Sequence, residues 1–274
     1  HLYIRTDVLK QHGISTPKTY EEVVAAAEKI RAAGKMKYPY AAAYKAGWNL
    51  AEEFVNMYIG HGGEFFKSGT ATPSVNNAKG VATLNMLKKL ADLSNPDFLT
   101  HDSESIKVEW EAGNVAIMTL WASRAGTLLD AEGDAKITAS TKLVAPATVG
   151  GGNIPATTLW WDGFTLAKNR SDADAEASFR AMAHAASSKE MVAKAADQAV
   201  WLIEGFVPGP KSVGVIKAVE MGAKPYPMLP QMGLMHGALG NEIVEFLQGN
   251  ETAEQALKDV EAAYKTKAKE QGFL

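Results

Sequence analysis

One uncharged run constrains this chain more than any other. Residues 114–124 read Asn-Val-Ala-Ile-Met-Thr-Leu-Trp-Ala-Ser-Arg, with no charge before Arg124. The run follows a short helical pattern (Ile106, Glu109, Trp110, Gly113) and reads as a strand that stops on Trp121 before the small polar start of a new helix. An apolar strand of this kind is what a strand buried on both faces looks like. In open α/β sheets the crevice beyond the C-terminal ends of such strands is where ligands bind. Trp121 and Arg124 are therefore placed to meet something. The plainer alternative is that Trp121 is a core aromatic and Arg124 a solvated surface charge.

Composition narrows the function classes. At 274 residues and 46% hydrophobic, the chain can bury a large core in one or two domains. A net charge of −3, with both signs interspersed, argues against a nucleic-acid or anionic-membrane partner. Cysteine is absent, which excludes disulfides, thiolate catalysis and cysteine-based metal sites. The longest nearly uncharged region, residues 143–167, is broken by Pro146, Pro155 and the run Gly150-Gly151-Gly152, so no stretch reads as membrane-spanning. The chain opens His1-Leu2-Tyr3-Ile4-Arg5, in mid-strand and without an initiator Met or signal peptide, which predicts that further sequence precedes it.

Along the chain, strands mix with helices early and give way to helices later, the pattern of an α/β architecture. Thr19 with Glu22 forms a capping box for a helix carrying Tyr20, Val23, Val24, Ala27 and Ile30 and closing at Gly34. Residues 38–44 read as a strand and residues 45–49 as a loop. Asn76-Asn77 opens a helix with Val81, Leu84, Leu87 and Leu90 on one face. Residues 143–145 and 164–167 read as strands, the second entered from an exposed turn, Trp161-Asp162-Gly163. Ser171 caps a further helix, another runs from Ser188 through Met191 to Ala195, residues 201–210 form a loop and residues 213–221 a helix. The last helices stop at Gly249 and restart at the capping box Thr252–Gln255.

Catalytic motifs are missing. No dinucleotide fingerprint, phosphate loop or nucleophile elbow is present, and the six histidines are scattered without metal-ligand spacing. The glycine run 150–152 precedes no helix, so it lacks the N-terminus that a phosphate cradle needs. Among 31 acidic residues no pair stands out as the carboxylates of a glycosidase. What stands out is tryptophan at expected loop and strand ends: Trp48, Trp121, Trp160, Trp161 and Trp201. Such rings offer flat faces to the C–H faces of sugars, while Asn49, Arg124, Asp162 and His236 nearby in sequence can bind hydroxyls. Each Trp taken alone also fits a core filler, and His236 a structural histidine. Adjacent Trp160 and Trp161 must face opposite sides of an extended segment, so one points away from the core.

The order of motifs resembles the extracellular (periplasmic) solute-binding proteins of ABC transporters, in the sugar-serving branch that includes the maltose-binding proteins. Leu2-Tyr3-Ile4-Arg5-Thr6-Asp7-Val8-Leu9, Gly13-Ile14 and Pro17-Lys18-Thr19-Tyr20-Glu21-Glu22 resemble that family's tyrosine-rich strand, "aGI" helix and "P-x-T-W-x-E" helix start. Gly62-Gly63-Glu64-Phe65-Phe66 is similar to its "GG" hairpin, and residues 110–118 to "F-x-x-G-x-A-A-M". Residues 227–232 resemble the "P-x-x-P-x-M" segment, and residues 249–257 the closing "G-x-x-T-x-E-x-A-L".

The resemblance implies a periplasmic-binding-protein-like two-lobe clamp (type II). It closes on a sugar, hands it to the membrane permease of an ABC importer, and performs no chemistry. It further implies a monomer that is periplasmic or at the cell surface, uses no cofactor or metal, derives from a precursor with a signal peptide, and meets the membrane only through the permease. About a hundred or more residues would precede this chain, the size of a lobe. Residues 1–164 and 218–274 would form the C-terminal lobe, and residues 165–217 helices of the other. Carried over by position, Trp48, Asn49, Trp121, Arg124, Trp161, Asp162, Gly163 and His236 would contact ligand. His236 stands where the maltose-binding branch places an aromatic, which favours a smaller sugar, glycoside or polyol over a long glucan. A sugar sensor serving a membrane receptor and a glycoside-processing enzyme are the competing readings.

Overall fold

In a computed structural model the chain is described over residues 1–130, 134–201 and 203–274. Leu202 in the expected loop, and the Met191 side chain on the expected helical face, lie outside the described residues. The first half runs β1 (Leu2–Arg5), α1 (Thr6–Gln11), α2 (Tyr20–Ala32), β2 (Tyr40–Ala42), α3 (Trp48–Gly60), α4 (Ala78–Ala91), α5 (Ser103–Glu111), β3 (Ile117–Thr119) and α6 (Ala125–Leu129). It continues with α7 (Ala135–Ser140), β4 (Thr141–Val144), β5 (Thr158–Leu159), α8 (Asp172–Ser187), α9 (Lys189–Lys194), α10 (Val213–Glu220) and β6 (Lys224–Pro225). Helices α11 (Met232–Glu242), α12 (Val244–Gln248) and α13 (Ala253–Glu270) close it.

The apolar run sits where its composition demands. Strand β3 lies inside a sheet of order β2-β3-β1-β4, parallel to β2 and antiparallel to β1. Residues alternate between two hydrophobic layers, as the period of a strand requires. Leu2, Ile4, Ala42 and Ile117 face the larger core with α2, α3, α4, α11 and α13, whereas Tyr3, Ala41, Met118 and Leu143 face a smaller one with Trp110 and Leu128. Burying Trp110 leaves its indole N–H in need of an acceptor, which Thr141 Oγ1 supplies at 3.0 Å.

Helix ends follow the local chemistry. Thr19, Asn77, Ser171 and Thr252 each accept a backbone N–H at an N-terminus, and Gly249 ends α12 in the left-handed region at φ 85°. In the first of these the reciprocal arm shifts by one residue, with Glu22 accepting from the Lys18 N–H at 2.6 Å.

Two sequence expectations give way. The loop expected at residues 45–49 ends early, because α3 already begins at Trp48. Its N-cap is Gly47, which has no side chain to announce a helix start. The strand expected at residues 164–167 does not form, and those residues are exposed. A strand needs a sheet neighbour, and no described element runs beside this one. Helix α8 behaves alike: none of its sixteen residues is buried, and Phe179 is 58% exposed.

Candidate ligand-binding face

The site starts from the two parallel strands. Trp48 follows β2 and Trp121 follows β3, so both rings stand just past C-terminal strand ends, the crevice side of such a sheet. The Trp48 and Trp121 rings meet edge to face at 5.9 Å. Tyr3 holds this end of β3 by donating its hydroxyl to the Trp121 carbonyl at 2.9 Å.

Helix α11 supplies the next member. Gly240 lies one turn beyond His236 on the same face, and its carbonyl accepts the Gly47 N–H at 2.9 Å. That backbone contact brings His236 to Trp48, with ring centroids 5.1 Å apart. The Trp48 carbonyl lies 3.0 Å from Nε2 and can only accept, so Nε2 carries the hydrogen and Nδ1 accepts the Tyr226 hydroxyl at 2.9 Å. Burial lowers the proton affinity of His236, the Trp48 carbonyl opposing it, and the ring is held neutral.

Tyr226 and Trp160 enter on the β5–β6 ribbon. The Tyr226 N–H donates to the Leu159 carbonyl at 3.2 Å, which sets the Tyr226 ring 4.4 Å from that of Trp160. Trp160 lies 6.0 Å from Trp48, closing a cluster of Trp48, Trp121, Trp160, Tyr226 and His236. Trp48 and Trp160 remain about half exposed, at 51% and 49%, so their faces are available. Below Trp160 lies a polar base. Its indole N–H points to Thr158 Oγ1 at 2.8 Å and Glu52 Oε1 at 3.2 Å. Burial pushes the Glu52 carboxyl up to about 7, against the opposing hydrogen bond from Thr158.

The residues expected from sequence divide into three groups. Trp48, Trp121 and His236 come together. Arg124 lies at the rim, its guanidinium 5.9 Å from the Trp121 ring and fixed by Glu104 at 2.7 Å and Ser103 at 3.0 Å, which makes it a brace for that ring. Asn49 lies half-buried in the first turn of α3. Trp161, Asp162 and Gly163 stand exposed on the chain leaving the cluster, outside the ring contacts. Trp201 lies elsewhere and donates its indole N–H to the Ala195 carbonyl at 2.9 Å. Sequence reasoning missed Glu52, Thr158 and Tyr226. The signal for Glu52 was present: two carboxylates, Glu52 and Glu53, stand inside the apolar stretch 50–59.

Glu52 and Glu53 are neighbours on one helix, not carboxylates facing each other across a cleft. Among the described residues no three His, Asp or Glu gather as a metal site. Replacing Tyr226 with Phe should leave buried His236 Nδ1 without its donor and lower stability by about 1 kcal/mol in urea denaturation. An unchanged midpoint would mean that this hydroxyl is not what holds the ring.

Residues 2–196 match the family described as bacterial extracellular solute-binding protein. This chain belongs to that family. A probable ABC transporter-binding protein of Deinococcus radiodurans is 32% identical over 176 residues, 61% of this chain; the chain spans 40% of that relative's length. Solved structures share the fold, which is that of the two-lobe periplasmic-binding proteins. Maltose-bound MalE3 of T. maritima superposes with TM-score 0.76 at 19% identity over 97% of this chain and 69% of its own. An Agrobacterium vitis ABC transporter solute-binding protein with bound D-mannitol gives 0.79 at 17% identity, over 99% and 71%. One from Agrobacterium radiobacter in complex with ribitol gives 0.78 at 18%, over 97% and 68%.

Proposed function

We propose that this chain binds a small carbohydrate or polyol on the aromatic face and serves the membrane permease of an ABC importer, without chemistry. The observation that carries the reading is the cluster itself, in which half-exposed Trp48 and Trp160 offer ring faces held in place from beneath by the buried polar groups of Thr158, Glu52 and His236. Rigidly held, exposed aromatic faces are what the C–H surfaces of sugars and polyols stack on. The ligands of the related structures, the disaccharide maltose and the open-chain polyols ribitol and D-mannitol, all carry such C–H surfaces among hydroxyls. Family membership supports a periplasmic or cell-surface location.

Residues 1–164 and 218–274 form one lobe of a clamp in this reading, and residues 165–217 belong to the other. The bare flank of α8 supports that division, as do exposed Phe164, Leu166 and Phe179, apolar surface that a lobe would cover. Ligand held between lobes favours the closed form because it contacts both only there. The protein acts as a monomer.

Titration of the intrinsic tryptophan fluorescence with D-mannitol, ribitol and maltose tests the binding claim. A saturable change with at least one of them is expected, weakened about tenfold or more by Trp48→Ala. No saturable response to any of the three, or binding indifferent to Trp48→Ala, overturns the assignment. Formation of products would replace it with an enzyme.

A further inference from the structure

Glu52 is the least explained group at this face. It is 2% exposed, yet it stands on the polar base below Trp160. Its Oε1 faces both the Trp160 indole N–H at 3.2 Å and the Thr158 hydroxyl at 2.9 Å, while its buried Oε2 has no hydrogen-bond partner. A buried carboxylate with one bare oxygen is costly. Both Glu52 oxygens are covered, so a ligand resting on the exposed ring reaches Trp160 and not the carboxylate. Asn56 Oδ1 lies 2.7 Å from Thr158 Oγ1 and shares its single hydroxyl hydrogen with Glu52 Oε1, so the indole nitrogen meets a fixed pair of oxygens.

We propose that Glu52 is a positioning residue: with Thr158 it fixes the indole of Trp160 at the angle that leaves the ring open to ligand, and it acts on binding only through that ring. The effect on binding rests on the carbohydrate reading, whereas the anchoring of the indole does not. Loss of the proton from Glu52 near neutrality turns a weak acceptor into a strong one, so the indole N–H should feel that titration. The titratable groups around it are Glu53 on the same helix, Tyr226 just past β6, His236 on α11 and the amino group of His1.

Nuclear magnetic resonance of the indole N–H groups, with Trp160 assigned through Trp160→Phe, tests the anchoring without ligand. Between about pH 5.5 and about pH 8.5 the Trp160 signal should shift with a midpoint near neutrality. Glu52→Gln should abolish the shift while keeping the signal hydrogen-bonded, and Glu53→Gln should leave it in place. A pH-independent Trp160 signal in the unaltered protein, or a shift that survives Glu52→Gln, overturns the proposal.

Titration with D-mannitol, ribitol and maltose supplies the second arm. Glu52→Gln should bind within about threefold of the unaltered protein, and Glu52→Ala about tenfold more weakly. In a Trp160→Ala background Glu52→Ala should cost nothing further, because its only route to ligand is gone. An equal loss in both backgrounds means that Glu52 touches ligand itself and overturns the positioning role. If Glu52→Ala fails to fold, Glu52→Gln and the ligand-free spectra decide. Absence of binding by the unaltered protein would remove the carbohydrate reading alone, and the spectra would still judge the anchor.

Discussion

Replacing Gly240 with alanine is expected to cost about 3 kcal/mol or more of stability and to dismantle the binding face with it. A Cβ at this position would lie 2.1 Å from the Gly47 carbonyl oxygen, 2.5 Å from its carbon and 2.8 Å from its Cα. All three are backbone atoms, so no side chain can swing aside; the whole of α11 must move from the start of α3. Gly47 cannot yield easily either, since it holds φ 95° and ψ −131°, a conformation that favours glycine. The same displacement would break the Gly47–Gly240 hydrogen bond and draw His236 from the Trp48 carbonyl. Gly237, on the same helix, is the control. A Cβ there meets nothing within 4 Å, so Gly237→Ala should stabilise by up to about 1 kcal/mol through helix propensity. Urea denaturation of the two variants measures the contrast. If Gly240→Ala stays within about 1 kcal/mol of the unaltered protein, the two helices do not meet at this glycine.

The junction at Gly47 also explains what sequence reading could and could not reach. Features with a local cause were legible: the caps at Thr19, Asn77, Ser171 and Thr252, the stop at Gly249, and the apolar run that became β3. Each is decided within a few residues, by a hydroxyl or amide reaching a nearby N–H or by an unbroken run of apolar side chains. The start of α3 has no such cause. Gly47 caps it without a side chain, and its amide is held by Gly240, far along the sequence. Trp48 therefore reads as a loop residue although it opens a helix. Residues 164–167 fail in the opposite way: their composition suits a strand, but pairing is a property of the neighbour and no described element pairs with them.

The face shows the same division between local and distant causes. Trp48, Trp121 and His236 stand out as residue types, and two of them follow strands. Tyr226 and Glu52 become site residues only through the β5–β6 pairing and the turn of α3. Nothing in the sequence near Tyr226 announces that its hydroxyl will reach His236 or its ring Trp160.

The buried carboxylates on α3 lead to a second large effect, at Glu53. Its side chain is only 4% exposed, and its charge is felt by Tyr20, Tyr40 and Tyr44, three buried phenols beside the sheet. Burial pushes the Glu53 carboxyl up to about 8 from an ordinary 4.5, outweighing the opposing charge of the His1 amino group, with the neighbouring Glu52 adding to the rise. The fold thus holds the proton more tightly than the unfolded chain does. This contribution to stability is complete below about pH 4.5 and is lost as the pH climbs through about 8. Glutamine keeps the size and one acceptor but cannot ionise. Glu53→Gln should therefore match the unaltered protein in acid and exceed it increasingly toward alkaline pH, by about 2–4 kcal/mol in total. His236, which titrates in both proteins without interacting with Glu53, cancels in the difference. Urea denaturation of the pair across this range gives the test. A glutamine variant less stable than the unaltered protein above about pH 8 would mean that the carboxylate is held by a favourable partner, and burial would not be what governs it. Glu53 lies behind the aromatic face and not in it, so the gain in stability should come with unchanged binding at mildly acid pH. A variant that gained stability and lost binding would place the charge of Glu53 within reach of the ligand.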